Sequence, residues 1–259
     1  MKKLSRHFFY QKVPDFISGK KKNIKIDQDL MRLKWFLKNF RLKNAKVLDI
    51  GSNFGFMCLN LSKIRGYNCT GFESEKPVYK FSEKLKKRSK LKNVFFYNKQ
   101  LKFNNLDNLK NYDIIFLLNV LHHAGHTYDK SKIQNYKNWI NYTIYYLKKI
   151  RKKSKYIFFQ TGNVNFGTQY FDSKNTFKII PQIMQKSGWK IKKIGVVENF
   201  KSKIFNYKTY TQTNIKNIPS ITCGRNKKNN LVEYKLKNKI IFKHKTGFLQ
   251  RPLWICEKK

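Results

Sequence analysis

The chain has 259 residues, of which 41% are hydrophobic and 16% aromatic. A chain with this apolar content can bury a core, so the composition excludes a wholly disordered protein. The longest apolar run, at about Ile114–Leu121, has only the length of a strand, so no transmembrane helix is predicted. Lysine and arginine number 57 against 14 acids, which gives a formal net charge of +43.

The charge has two explanations that the sequence leaves open. A field this positive attracts polyanions such as RNA, and lysine without much arginine favours phosphate attraction over reading of bases. The alternative is compositional drift, because Lys, Asn, Ile, Phe and Tyr share AT-rich codons. On the first explanation, the predicted partner is RNA or another polyanion bound through a lysine-rich surface; on the second, the charge has no partner.

The cysteine pattern and the N-terminus predict the compartment. The basic N-terminus is not followed by an apolar stretch or a cleavage site, so no secretory signal is predicted. The four cysteines form no CxxC pair; they are Cys58, Cys69, Cys223 and Cys256. We interpret them as reduced thiols of a cytoplasmic protein, with no zinc site and no disulfide framework.

Apolar runs alternate with amphipathic stretches along the chain, which is typical of an α/β fold. Residues 1–44 are predicted to form a helical N-terminal segment that acts as a lid. This segment carries an aromatic cluster at Phe8–Tyr10 and a helix that Asp27 caps and that ends at about Phe40. Residues 45–259 are predicted to form the main domain.

The main domain shows seven strand patterns separated mostly by helices. The strands are expected at 45–50, 67–72, 94–97, 112–118, 156–160, 189–197 and 252–256. The helices are expected at 56–65, 77–89, 131–152 and 173–187, where Pro181 should kink the last helix or delay its start. The lysine-rich stretch 199–250 shows only a hairpin pattern at 231–243, so we interpret it as a functional insertion.

The chemistry is concentrated where the first strand ends. Asp49 closes that strand, and Gly51 and Gly55 follow before the next helix. Gly51 allows a tight turn, and Gly55 lets the helix pack closely and leaves room for a ligand, beside backbone amides that face the ligand crevice. The second strand ends at Glu73, where a carboxylate can accept hydrogen bonds from a ribose diol.

The glycine spacing argues against a dinucleotide site. The chain has GxxxG where a nicotinamide-dependent oxidoreductase would show GxGxxG. A carboxylate two residues before the first glycine also repels a pyrophosphate and suits a cationic ligand, a sulfonium with an amino-acid tail. The alternative interpretation is a strand–turn–helix corner that binds nothing.

Three segments, 47–55, 71–73 and 112–123, resemble the motifs of class I S-adenosylmethionine-dependent methyltransferases. The resemblance covers about residues 45–197 and the last strand, 251–259. It implies a Rossmann-like, doubly wound α/β sheet of seven strands in the order 3-2-1-4-5-7-6, with strand 7 antiparallel. It also implies S-adenosyl-L-methionine as the cofactor.

The resemblance also implies a set of site residues. Those expected at the cofactor are Asp49, Gly51, Ser52, Asn53, Gly55, Glu73, Asn98, Asn119 and Val120. The chain departs from the family pattern in two places. Asn53 replaces the usual middle glycine, and the third strand ends at Asn98 where the family often has an acid facing adenine. Asn98 or Gln100 is expected to substitute as a neutral hydrogen-bonding group.

The segment after the fourth strand predicts the acceptor. It has neither the prolines typical of nucleobase amino-group methyltransferases nor a cysteine for pyrimidine carbon-5 chemistry. His122 and His123 follow Asn119 there, and a neutral imidazole can take a proton from a hydroxyl. The alternative is that both histidines are structural. Their spacing to His126 lacks the Glu of a zinc motif, so no metal site is predicted.

The predicted function is methyl transfer to an oxygen of a small hydroxylated metabolite or sugar. Two alternatives stay open: an RNA methyltransferase of the tRNA type, and a non-catalytic nucleic-acid-binding protein on a methyltransferase fold.

Overall fold

A computed structural model describes residues 11–19, 27–162, 176–198, 206–219, 221–226, 231–244 and 251–259. The aromatic cluster Phe8–Tyr10 and the first residues of the helix predicted at 173 lie outside these ranges. Much of the predicted insertion lies within them, although the side chain of Cys223 does not.

Eleven strands occur in the described residues. They are β1 Lys46–Ile50, β2 Asn68–Glu73, β3 Val94–Asn98, β4 Tyr112–Leu118, β5 Ser154–Gln160, β6 Trp189–Val197, β7 Tyr207–Tyr210, β8 Ile221–Arg225, β9 Val232–Leu236, β10 Lys239–His244 and β11 Leu253–Lys258. Eight of them form one sheet in the order β3-β2-β1-β4-β5-β11-β6-β7, and β10-β9-β8 form a second sheet.

The main sheet confirms the predicted order and corrects the predicted number of strands. β3-β2-β1-β4-β5 are parallel, and the closing strand β11 lies antiparallel between β5 and β6, as the order 3-2-1-4-5-7-6 requires. The sheet has eight strands rather than seven, because β7 pairs antiparallel with the open edge of β6. The predicted hairpin is confirmed as β9 and β10, joined by Lys237 and Asn238 with φ of 47° and 62°.

Six α-helices occur in the described residues. They are α1 Asp15–Ser18, α2 Gln28–Asn39, α3 Phe56–Arg65, α4 Lys76–Ser89, α5 Tyr136–Arg151 and α6 Thr176–Lys186. α5 begins later than predicted because Asn135 caps it, its side chain accepting a hydrogen bond from the Asn138 amide at 2.9 Å. α6 runs through Pro181. None of the helices within the described ranges combines the length and the apolar character that crossing a bilayer requires.

Two hydrophobic clusters cover the faces of the main sheet. α5 and α6 pack on one face around large buried side chains such as Trp139, Tyr146 and Trp189. α2, α3 and α4 pack on the other face, where Phe36 contacts the rings of Phe116 and Phe158 at centroid distances of 4.8 and 5.1 Å. The helices therefore leave the carboxyl ends of the parallel strands as one edge, where ligands bind in open α/β sheets.

Helix α2 belongs to this packing although it precedes the first strand. Asp27 caps it as predicted, accepting from the Leu30 amide at 3.0 Å. Trp35 stacks on Phe158 at 5.9 Å and donates its indole N–H to the Thr209 hydroxyl in β7 at 3.0 Å. The helix is thereby joined to both the middle and the edge of the sheet.

Candidate active site

Asp49 lies inside the sheet, in register with Gly71 of β2 and Phe116 of β4. Only 4% of its surface is exposed. Its carboxylate accepts a hydrogen bond from the Cys58 thiol, whose Sγ is 3.9 Å from Oδ2. A carboxylate in this position is poorly solvated, so it favours either a bound proton or a nearby cation.

The loop after β1 turns through three left-handed residues. Gly51, Asn53 and Gly55 have φ of 73°, 49° and 79°. Asparagine tolerates this conformation better than most residues with a Cβ, which explains why Asn53 can stand in place of the family's middle glycine. A Cβ on Gly51 would lie 2.8 Å from Val120 Cγ2, so a glycine here lets the loop after β4 approach the loop after β1.

The space beside Gly55 differs from the sequence expectation. A Cβ on Gly55 would lie 2.1 Å from Cζ of Phe96, a residue of β3 whose ring also covers Gly71. The expectation that Gly55 leaves room for a ligand is therefore wrong at that spot, because an aromatic ring from β3 occupies it.

Glu73 connects this loop to the end of β2. Its Oε2 accepts a hydrogen bond from the Asn53 amide and its Oε1 from the Glu75 amide, each at 2.9 Å. Burial raises the pKa of this carboxyl, and the two backbone amides oppose that rise. A ribose diol binding here would have to share these two oxygens with the backbone.

Two other buried carboxylates act on Asp49 in this part of the molecule. Burial raises the pKa of Asp49 to about 8, and the negative charges of Glu73 and Asp29 add to the effect. Asp29 comes from α2, where its Oδ1 accepts from the Arg32 guanidinium at 3.1 Å, and burial raises its pKa too. Asp49 is therefore stabilised either by holding a proton or by a cation beside it.

Asn98 lies at the end of β3, opposite Glu73 in the sheet register. Its Nδ2 donates hydrogen bonds to the carbonyl oxygens of Glu73 and Ser74, both at 2.9 Å. These bonds fasten the end of β3 to the turn after β2. An adenine contact by Asn98, which stays a prediction, would therefore have to use Oδ1.

Asn119 lies at the centre of a polar network beyond β4. Its side chain donates to Gln160 Oε1 at 3.0 Å and accepts from Arg251 Nη1 at 2.9 Å. Gln160 in turn donates to the Arg251 carbonyl at 2.8 Å. Gln160 is the last residue of β5 and so lies at this edge, whereas Arg251 was not among the residues predicted from the sequence. The sequence feature that could have indicated Arg251 was a single arginine at the start of the last predicted strand.

His122 and His123 lie side by side, with ring centroids 4.0 Å apart. Burial lowers the pKa of both, and the positive charge of Arg251 lowers them further. Nδ1 of the buried His122 accepts a hydrogen bond from the Gly162 amide at 3.1 Å, which assigns the proton of the neutral ring to Nε2. His122 has thus already used its basic nitrogen, which leaves His123 as the candidate base.

A metal has no evident position here. In the part of the chain that the structure describes, no group of three or more His, Cys, Asp or Glu side chains could hold an ion. Asp129, which lies near the histidines in sequence, accepts instead from the Tyr142 hydroxyl at 2.6 Å and the Phe103 amide at 3.0 Å.

The fold and a family match together show the class of protein to which this chain belongs. The strand order, the glycine loop after β1 and the acid at the end of β2 are those of a class I S-adenosylmethionine-dependent methyltransferase. A family model described as tellurite resistance protein TehB matches residues 9–177, more than half of the chain. The chain therefore belongs to the TehB family, and it is a methyltransferase whose fold family uses S-adenosylmethionine as the methyl donor.

Solved structures share the fold at low sequence identity. TehB from Haemophilus influenzae is 15% identical, with a TM-score of 0.50 over 96% of this chain and 68% of that one. TrmN from Thermus thermophilus is 9% identical, with a TM-score of 0.50 over 95% of this chain and 53% of that one.

A further solved structure matches a smaller part of this chain. The bifunctional kinase-methyltransferase WbdD is 16% identical, with a TM-score of 0.45 over 60% of this chain, which spans only 33% of that protein. No curated protein sequence matches this chain.

Proposed function

We propose that this methyltransferase binds S-adenosylmethionine at the carboxyl edge of the sheet and methylates an oxygen of a small hydroxylated metabolite or sugar. The observation that carries the proposal is the buried carboxylate of Asp49, whose raised pKa reports the cost of its charge without a cation. S-adenosylmethionine supplies a sulfonium and an ammonium group, and its methyl is the group transferred.

The cofactor residues have separate tasks in this proposal. Asp49 attracts the cationic end, and Glu73 accepts from the ribose. Gly51, Asn53 and Gly55 shape the loop, and Val120 and Asn119 border the methyl. Ser52 offers a further contact, because its hydroxyl is buried, 1% of the residue being exposed, and has no hydrogen-bond partner among the described residues. A buried hydroxyl without a partner is costly, so it suits a ligand.

His123 is the proposed base. Burial and Arg251 keep its pKa below the ordinary value, so the ring is neutral and able to take a proton at pH 7. A base of lowered pKa is weak, so alignment of sulfur, methyl and acceptor oxygen supplies much of the rate. Arg251, Asn119 and Gln160 are the groups proposed to orient the acceptor.

The N-terminal segment, residues 1–44, is proposed to border the site, with α2 fixed on the sheet and the residues before α2 as the lid. Gln11 Oε1 accepts from the Phe56 amide at the start of α3, at 3.2 Å, and the Lys12 amide donates to Asp29 at 3.4 Å. The first contact supports a lid held beside the loop after β1, and the second fastens that lid to α2. Residues 45–259 are proposed as the methyltransferase domain and 199–250 as its insertion. The free thiols of Cys58, Cys69 and Cys256 support a cytoplasmic location.

Calorimetry with S-adenosylmethionine and S-adenosylhomocysteine tests the cofactor site. We expect Asp49→Asn to weaken S-adenosylmethionine binding at least tenfold, because a neutral amide does not attract a cation. The matched control is Asp113→Asn, which changes an exposed acid outside the site. Unchanged affinity in Asp49→Asn would refute the assignment.

Transfer of a labelled methyl group to a panel of polyhydroxylated compounds tests the acceptor and the base. We expect His123→Ala to lower kcat by about 100-fold, within the range for losing general base catalysis, with little change in cofactor affinity. Equal turnover in His123→Ala and the unchanged protein would remove that role.

The family name supports a second acceptor. Tellurite is an oxyanion, and the Arg251 guanidinium, in a residue 4% exposed, donates to Asn119 where the acceptor is expected. Cells expressing the protein should survive tellurite better than cells expressing Asp49→Asn. Equal survival would favour the hydroxylated acceptor.

A further inference from the structure

A cavity of about 210 Å³ lies against α5, apart from the proposed cofactor residues. It is lined by Phe103, Lys132, Asn138, Asn141, Tyr142 and Tyr145. Four of these residues share one face of α5 because they are spaced at i, i+3, i+4 and i+7. The other two come from 3-10 turns that follow β3 and β4 along the chain, at Phe103–Asn108 and Lys130–Lys132.

The cavity has a fixed floor and an open rim. Tyr142 is buried and held by its hydrogen bond to Asp129, and its ring centroid is 5.7 Å from that of Phe103. Tyr145 is 56% exposed, and Asn141 is exposed beside it. Tyr142 thus gives the cavity a fixed aromatic floor, and the exposed Tyr145 offers a ring on which a planar group can stack from solvent.

The rim carries several positive charges. The Nζ atoms of Lys149 and Lys132 lie 4.5 and 5.6 Å from the centroid of the Phe103 ring, and that of Lys148 lies 5.3 Å from Tyr145. Asp107 pairs with Lys149, and Asp129 accepts two hydrogen bonds from neutral groups. Three lysines against these two acids leave the rim with a net positive charge. The surface therefore favours an anionic ligand.

The geometry points to a single-stranded nucleic acid: we propose that one unpaired base stacks in this cavity while the lysines contact the adjacent phosphates. The volume is below the roughly 300–1,000 Å³ of pockets that enclose a whole small molecule, so it suits one ring with the rest of the ligand outside. Side-chain amides can hydrogen-bond a base edge, and interleaved aromatics and cations are the usual surface for single strands. A duplex keeps its bases stacked inside and offers no such ring.

Fluorescence anisotropy with labelled single-stranded RNA, and with DNA of the same sequence, tests the proposal on the full chain. We expect Tyr145→Ala to weaken binding about tenfold, since one stacking partner is lost. The matched control is Tyr136→Ala, an exposed tyrosine of the same helix outside the cavity. Tyr145 is largely exposed, so its replacement should leave the melting temperature unchanged.

Charge is tested separately, because a protein of +43 binds many polyanions. Lys132→Gln should lower the slope of log affinity against log salt by about one, whereas Lys137→Gln, an equal charge change outside the cavity, should lower it less. Duplex, heparin and a free mononucleotide serve as competitors, and single strands should compete best. Equal effects of the two tyrosine variants, or equal competition by duplex or heparin, would overturn the proposal and leave only unspecific charge attraction.

Cofactor binding and methyl transfer are measured separately from nucleic-acid binding. Tyr145→Ala should retain S-adenosylmethionine affinity and methyl transfer to the small acceptor, so failure of the nucleic-acid site and failure of the proposed function give different results.

Discussion

Asp49 is a carboxylate that the fold holds away from water next to two other acids. Its pKa of about 8 in the folded chain exceeds the ordinary value of 3.8, so between these values the folded state binds more protons than the unfolded state. Its contribution to stability is therefore present at low pH and is lost as the pH rises toward 8.

We expect Asp49→Asn to flatten this part of the stability curve. Without cofactor, the free energy of unfolding of the unchanged protein should fall relative to the variant by up to about 1.4 kcal/mol per pH unit between pH 5 and 8. Urea denaturation at a series of pH values measures the difference. Parallel curves would mean that Asp49 is already ionised in the folded chain.

The same group should make cofactor affinity depend on pH. A cation beside Asp49 favours the ionised carboxylate, so binding should release a proton and strengthen with rising pH, by up to tenfold per unit below pH 8. Calorimetry in buffers of different ionisation enthalpy measures the released proton. Proton uptake on binding would contradict the proposed position of the cation.

His122 is expected to affect stability more than turnover. Replacing it by Ala leaves the buried Gly162 amide without its acceptor and opens a cavity, which costs about 2–4 kcal/mol in the free energy of unfolding. His123→Ala, at a half-buried residue, should cost less than about 1 kcal/mol and should slow methyl transfer more. Chemical denaturation and turnover per folded molecule separate the two, and the reverse pattern would make His122 the base.

At the scale of the element, α3 offers a comparison between its two ends. Gly55 precedes its first residue and Gly66 follows its last. Both glycines are left-handed, with φ of 79° and 68°. A Cβ at Gly55 would collide with Phe96, whereas a Cβ at Gly66 would meet nothing within 4 Å. Replacing Gly66 by alanine therefore tests backbone strain alone, and replacing Gly55 by alanine tests backbone strain and packing together.

We expect Gly66→Ala to cost about 1–2 kcal/mol from the left-handed conformation, and Gly55→Ala to cost about 2–5 kcal/mol because the Phe96 ring must also move. Thermal and urea unfolding give both values. Phe96→Leu should partly rescue Gly55→Ala but not Gly66→Ala. Equal costs at the two ends would mean that the ring moves freely.

The boundaries of the helices and strands show which features of the fold the local residue pattern determines. The strand–loop–helix at the start of the domain was predicted because a buried apolar run, two glycines and an amphipathic stretch are all local signals. The start of α5 was placed too early, since the Asn135 cap outweighs the helical pattern before it. β7 was missed because a four-residue edge strand, Tyr207–Tyr210, has no periodicity that stands out.

At the scale of the whole molecule, the last residues of the chain complete the middle of the sheet. β11 pairs with β5 on one side and β6 on the other, and Trp254 and Cys256 are fully buried. β11 therefore joins β5 to β6 in the sheet.

We expect removal of residues 251–259 to abolish cooperative unfolding and near-ultraviolet dichroism, because it separates β5 from β6 and removes a buried strand. Removal of only Lys258 and Lys259, which are exposed, is the control and should leave both signals nearly intact. A truncated chain that still unfolds cooperatively would show that the remaining sheet closes without β11.

The sequence by itself determined the class of fold, the position of the glycine loop after β1 and the acids Asp49 and Glu73 near it, because these depend on residues close together in the chain. Only the tertiary structure decided that Arg251 meets Asn119, 132 positions away, that Phe96 fills the space beside Gly55, and that His122 is bonded to Gly162. Such contacts arise when distant strands pair and side chains pack between them. Neither process leaves a signal in the local order of residues.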